Sequence, residues 1–276
     1  MKRIFLLLLC LQPALALATP RVVTSIAPLQ EITGALMTGI AEPQLIIENQ
    51  ASAHHFAFKP SHMRRLQQAD LVIWIDRHFE AGFNRIAQTL PAATRTLELM
   101  PALGIESEDG HFWYSPALLQ RSISVLAATL AELDPDNQAR YLENARRLSA
   151  AVKVWRERMR ERWQGNPTRL LTDHEFLGHF AHDLGQFEIE SIQDHHGGQG
   201  GLKDLERIET WLRARPAACL LTLDPAPPPL AASLAARYRL PVIAITAIEP
   251  TDPEIDAILQ RLEQLNIALE RCRLDG

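Results

Sequence analysis

Asp70-Leu71-Val72-Ile73-Trp74-Ile75 is the stretch that decides the fold. After its first residue it contains no polar side chain, so neither face of a strand built from it can meet water. Near-continuous apolar strands of this kind belong to parallel sheets covered by helices on both faces. Its surroundings agree. Residues 61–68 and 79–88 read as helices on either side, and residues 94–99 as the next strand. Upstream, residues 21–25 and 44–47 read as strands separated by a helix at 28–37. Strands alternating with helices of about ten residues predict an α/β fold with a mostly parallel sheet.

The second half of the chain repeats this order. Residues 169–172, 186–190, 218–223 and 241–246 read as strands, and residues 175–184, 202–214 and 253–271 as helices. A further helix opens among Pro225, Pro227, Pro228 and Pro229 and runs to residue 239. Between the halves, residues 100–110 read as a loop carrying Glu106, Glu108 and Asp109. Ser115-Pro116 then supplies an N-cap and a first-turn proline for a helix to residue 132. Asp134-Pro135 repeats that signal. From there Leu142, Ala145, Leu148, Val152, Trp155, Met159 and Trp163 form one apolar stripe at helical spacing, with Arg146, Arg147, Arg156, Arg158, Arg160 and Arg162 on the other face. A helix this long exceeds an ordinary crossover and is expected to join two lobes, ending at Gly165-Asn166-Pro167. The expected division is a signal peptide at 1–18, a first α/β lobe at 19–133, a linking helix at 134–165 and a second α/β lobe at 166–276.

The signal peptide rests on Met1-Lys2-Arg3, an apolar run from residue 4 to 17, and the small-x-small site Ala16-Leu17-Ala18. Cys10 follows Leu9 inside the run, which gives no lipoprotein anchor, and no other stretch is long and apolar enough to span a bilayer. The expected mature chain is exported and soluble. Loss of Lys2 and Arg3 takes the formal charge from −5 to −7. That balance argues against a nucleic-acid partner, which favours a basic footprint. The two remaining cysteines, Cys219 and Cys272, are either a disulfide, as suits an exported chain, or two buried thiols.

His54, His111, His174 and Glu249 each fall just past a predicted strand or at the loop-to-helix junction beyond one, two in each half. Open α/β sheets place ligand contacts at the carboxyl ends of strands, so facing halves would bring these residues to one cleft. Three imidazoles and one carboxylate suit tetrahedral Zn²⁺, whereas an all-oxygen set would suit magnesium or calcium. Taken singly, each histidine reads first as an ordinary surface or hydrogen-bonded residue; the recurrence of position, together with the local sequence, turns the reading toward a metal.

Ser52-Ala53-His54-His55-Phe56, Lys59-Pro60-Ser61 and the run from Leu66 to Trp74 resemble the first metal motif of periplasmic zinc-binding components of ABC importers. His111-Phe112-Trp113-Tyr114-Ser115-Pro116 is similar to that family's His-x-Trp-x-Ser-Pro motif, and His174-Glu175-Phe176-Leu177-Gly178-His179-Phe180 to its third. The resemblance implies two α/β lobes joined by a long rigid helix, with the ion held between them. It implies Zn²⁺ as transported cargo, His54, His111 and His174 as ligands, and a Cys219–Cys272 disulfide. The implied partners are an inner-membrane ABC permease and its cytoplasmic ATPase; the protein would be a periplasmic monomer and not an enzyme.

The chain departs from the family pattern in four places. Glu249 stands where the family usually has an aspartate, with Asp224, Asp252 or water as alternatives for the fourth position. A short acidic segment replaces a histidine-rich loop, and His55 follows His54 where an acid is frequent. Asp194-His195-His196 is either a metal-catching segment or a solvated turn. Two other functions use the same residues: a manganese carrier or adhesin of the same fold, and a zinc hydrolase with an open coordination position and Glu175 as base. No His-Glu-x-x-His or Gly-x-Ser-x-Gly motif supports hydrolysis.

Overall fold

The computed structural model describes residues 19–48, 56–107, 109–193, 202–247 and 256–275. The first half runs β1 (Val22–Thr24), α1 (Ala27–Leu36), β2 (Gln44–Leu45), α2 (Pro60–Gln67), β3 (Leu71–Trp74), α3 (Ala81–Ala87) and β4 (Arg95–Glu98). It continues through α4 (Leu99–Ala102), a 3₁₀ turn at Phe112–Tyr114 and α5 (Pro116–Leu133). A second 3₁₀ turn (Pro135–Asn137) leads into α6 (Gln138–Trp163). The second half runs β5 (Thr168–His174), α7 (Gly178–Leu184), β6 (Phe187–Gln193), α8 (Leu202–Ala214), β7 (Cys219–Thr222), α9 (Pro229–Tyr238) and β8 (Val242–Ala244). After a 3₁₀ turn at Ile245–Ala247, α10 (Ala257–Asp275) ends the described chain.

The sheets are all parallel and share one topology. Their orders are β2-β1-β3-β4 and β6-β5-β7-β8. In both, the order reverses between the first and third strands of the half, which puts the switch-point crevices at the carboxyl ends of β1/β3 and β5/β7. β3 pairs Val72 with Val23 on one side and with Thr96 on the other. All four of its residues are buried, as the apolar run requires. The fold is therefore two α/β lobes joined by one long helix.

α6 has 26 residues and spans about 39 Å at 1.5 Å per residue. Its buried face is Tyr141, Asn144, Leu148, Val152, Trp155, Met159 and Trp163. Leu142, expected on that stripe, is 43% exposed, and Tyr141 fills the inward place. The two residues lie about 100° apart around the helix, so only one of them can face the core. The helix touches both halves. Asn144 Nδ2 donates to the carbonyls of Leu36 (2.8 Å) and Thr38 (3.0 Å) at the end of α1, and Trp155 Nε1 donates to Glu263 on α10 (3.2 Å). One hydrophobic core runs through all three parts, from Val23 and Ile73 past Trp163 to Leu170, Leu221 and Leu265. A smaller cluster around Leu171, Ile208, Leu220 and Leu234 fills the other side of the second sheet.

Cys219 on β7 and Cys272 on α10 form a disulfide, Cα–Cα 5.2 Å. Closing a loop of 53 residues is worth roughly 4 kcal/mol in the chain-entropy picture. Three expectations need correction. Residues 99–102 form a helical turn where the end of a strand and the start of a loop were expected, because Leu99 and Met100 are buried and carry the chain off β4. The first residue of α7 is Gly178, not Glu175, because β5 extends to His174 and the Glu175 N–H still bonds across to β6, at the Gln193 carbonyl (3.1 Å). The strand expected at 186–190 extends to Gln193, because β6 stays in register with β5 as far as His174.

Candidate metal centre

Two of the four expected ligands, His111 and His174, lie in the described structure. His54, Glu249 and the alternative Asp252 lie outside the described residues, as do His55, Asp194, His195 and His196. Asp224 follows β7, is exposed, and its main-chain carbonyl accepts from the Thr222 hydroxyl at 2.7 Å. Among the described residues no group of three or more His, Cys, Asp or Glu side chains is placed to hold an ion.

His111 comes from the first half, in the loop that leads from α4 to the Phe112–Tyr114 turn, and is 3% exposed. His174 comes from the second half, as the last residue of β5 at the switch point. Their ring centroids are 5.4 Å apart, at an interplanar angle of 57°. Two imidazoles on one tetrahedral ion, each with a Zn–N bond of 2.0–2.1 Å, have centroids roughly 5 Å apart. The spacing of the pair matches that value. It is the contact between halves that the sequence reading required of these two residues.

Aromatic rings wall the pair. Phe79 meets His111 edge-on at 5.1 Å, Trp113 meets it at 5.0 Å, and Phe176 lies 5.0 Å from His174 and 6.3 Å from His111. Gly110 makes this packing possible, since a Cβ there would lie 2.5 Å from Phe79 Cδ2 and 2.9 Å from Ile75 Cγ2. Burial pushes the His111 imidazole below its ordinary value of 6.5, although the neighbouring Asp109 carboxylate pulls the other way. The ring is therefore neutral, the state that can ligate a metal.

A carboxylate stands behind each ring. Asp109 Oδ1 accepts from the His111 main-chain N–H at 2.9 Å and contacts His111 Nδ1 at 2.8 Å. Asp173 Oδ1 accepts from the His174 N–H at 3.0 Å and contacts His174 Nδ1 at 3.0 Å. Burial works against the charge on Asp109, but the hydrogen bonds from the His111 ring and main chain help outweigh it and hold the carboxyl below its usual range. A third imidazole, His179 on α7, is not in the cluster of ligands, because its Nε2 sits 2.8 Å from the Asp109 main-chain carbonyl. Sequence reasoning counted Asp109 only as part of an acidic loop and Asp173 only as the end of a strand. The signal available was the short Asp-to-His spacing in each case.

A model of the family "ZnuA: Zinc-uptake complex component A periplasmic" matches residues 22–272. The chain belongs to this family. The chain shares 26% identity over 241 residues with the high-affinity zinc uptake system protein ZnuA of Yersinia pestis, covering 74% of this chain and 75% of that protein. With the Haemophilus ducreyi protein of the same name it shares 24% over 238 residues, covering 74% and 76%. A crystal structure of a ZnuA superposes with a TM-score of 0.79 at 17% identity, over 94% of this chain and 100% of that one. The laminin-binding adhesin Lmb of Streptococcus agalactiae superposes with a TM-score of 0.79 at 18% identity, over 91% and 99%. At those identities the superpositions speak for the fold alone. The family is one of periplasmic substrate-binding transport components that serve an ABC transporter.

Proposed function

We propose that this chain captures Zn²⁺ between its lobes and hands it to an inner-membrane ABC permease driven by a cytoplasmic ATPase. His54 and His111 from the first half and His174 and Glu249 from the second form the ligand set, with Asp224, Asp252 or water as alternatives to Glu249. A shell closed by Glu249 leaves no open position for an activated water, so the reading is of a carrier, not a hydrolase. Residues 1–18 direct export and are removed, residues 19–133 and 166–276 are the lobes, residues 134–165 link them, and the mature chain works as an unanchored periplasmic monomer. Nitrogen-rich ligation favours zinc over the harder manganese.

The observation that supports this best is the approach of His111 and His174, from opposite halves, to ring-sharing distance. The test is zinc titration of mature protein against a competing chelator, with His54→Ala, His111→Ala, His174→Ala and Glu249→Ala alongside. One zinc per chain is expected, and each substitution should weaken binding at least tenfold. Affinity should also fall on acidification from pH 7 to pH 5, since protonated imidazole cannot ligate. Unchanged binding by His111→Ala and His174→Ala would reject the site.

A further inference from the structure

His111 and His174 are held in the same way. In each, a single carboxylate oxygen takes both the main-chain N–H and the Nδ1 of one histidine. The backbones are unrelated: Asp109 lies two residues before His111 in a loop, whereas Asp173 lies immediately before His174 in the last turn of a strand's pleat. The same contact reached from two different local geometries is not a by-product of either. Both aspartates are 6% exposed, which costs desolvation that a purely local turn would not require.

An ionised carboxylate accepts and cannot donate, so a ring nitrogen that contacts one at 2.8–3.0 Å must carry the proton. The other nitrogen, Nε2, is then the one with a lone pair to offer. We infer that Asp109 and Asp173 are positioning residues that fix His111 and His174 in the Nδ1–H tautomer, so that both rings meet Zn²⁺ through Nε2. This inference rests on the zinc reading above and goes further, naming the binding atom of each ring and the group that selects it. Carboxylates in this position also raise the electron density of the ligating nitrogen. They add two negative charges behind a ligand set that would otherwise leave the bound ion with a net positive charge.

Asp109 carries a second link. Its main-chain carbonyl contacts His179 Nε2 on α7, and its Oδ2 lies close enough to the same helix that a Cβ on Gly178 would sit 3.2 Å away. The residue that orients the first lobe's ligand is therefore itself gripped by the second lobe. His111 is set by both lobes at once.

The experiment uses mature protein with Asp109→Ala, Asp109→Asn, Asp173→Ala and Asp173→Asn. Zinc affinity is measured by chelator competition, and imidazole tautomers are read by long-range ¹H–¹⁵N correlation spectra before metal is added. In the unsubstituted protein His111 and His174 should both show the Nδ1–H form. Each alanine variant should weaken zinc about 10–100-fold and shift only its own histidine toward the Nε2–H form. The asparagine variants, whose amide oxygen still accepts from Nδ1–H, should recover part of that loss, which a general folding defect would not do. An Nε2–H tautomer in the unsubstituted protein overturns the inference without reference to any variant. Alanine variants that bind normally, while His111→Ala and His174→Ala do not, overturn it and leave the zinc site standing. Histidine variants that bind normally overturn both.

Discussion

Glu80, the residue before α3, lies beyond the carboxyl end of β3 at the first lobe's switch point. Its side chain is 1% exposed, and Oε2 accepts from the Ile75 main-chain N–H at 2.6 Å, just beyond β3. Burial raises its carboxyl to about 8, against the pull of hydrogen bonds from Ser25 and Ile75. The sign follows from proton counting. Between the ordinary value of 4.5 and about 8 the folded chain keeps a proton that the unfolded chain has released, so stability falls as pH rises across that window. Below it the penalty is absent, and above it the penalty is complete. At about 1.4 kcal/mol per unit, the loss is on the order of 5 kcal/mol. Glu80→Gln keeps an oxygen for the Ile75 N–H and has no charge to desolvate. Urea denaturation at pH 5 and pH 8.5 should therefore show a smaller loss of stability for Glu80→Gln than for the parent chain. Equal losses would show that Glu80 does not titrate in this range. Nothing in the local sequence marks this residue, because its burial comes from the ends of β1 and β3 meeting around it.

Helix α7 has only seven residues, yet it ties the lobes together beside the candidate metal centre. Its Asp183 accepts from the Ala117 N–H at 2.7 Å and from the Ser115 hydroxyl at 3.3 Å, so a second-lobe carboxylate caps the first turn of α5. Arg156 on α6 forms an ion pair with the same carboxylate. Three elements therefore meet at one side chain that is 2% exposed. Asp183→Ala strands the Ala117 N–H and removes the partner of a half-buried guanidinium. Hydrogen bonds to charged groups are worth about 1.5–3 kcal/mol. A lower urea midpoint with an unchanged slope is the expected result, and a midpoint within error of the parent would rule out a structural role for the clamp. Elements with a strong internal pattern were legible in the sequence. β3 is apolar at every position, α6 repeats its apolar residues every three or four places, and α5 begins on Ser115-Pro116, where the Ser115 hydroxyl does accept from the Leu118 N–H. α7 was legible only in part, because Glu175 looked like a helix start while strand pairing with β6 held the chain extended through His174. Of the candidate site, the meeting of His111 and His174 was to be expected from position and motif. Their carboxylate partners were not, since Asp and His close in sequence touch only when the backbone turns one toward the other.

At the scale of the molecule the two lobes have separate sheets but not separate interiors. The main core passes from β1 and β3 through α5 and α6 to β5, β7 and α10 without a polar break. Arg261 on α10 is paired with Glu31 on α1, its Nε 3.0 Å from Glu31 Oε2, so charge as well as apolar surface crosses between halves. The disulfide ties the end of α10 to β7 and thereby anchors the helix that makes this crossing. Independent lobes would each need a core that closes on itself, and the first lobe's does not: Leu29 and Ile32 of α1 belong to the same cluster as Leu262 and Leu265 of α10. The mature chain should therefore unfold in one cooperative step, although it is larger than the domains that usually do so. Tryptophan fluorescence samples the first lobe through Trp74 and Trp113, the linking helix through Trp155 and Trp163, and the second lobe through Trp211. Single-tryptophan variants at these positions and far-UV circular dichroism should give coincident urea transitions. Zinc at 100 times its dissociation constant should move all of them together by about 2.7 kcal/mol, because an ion bridging two lobes stabilises only the state in which both are folded. Two resolved transitions, or a zinc shift confined to the probes of one lobe, would mean that the shared core does not couple the halves and that the ion is held by one of them alone.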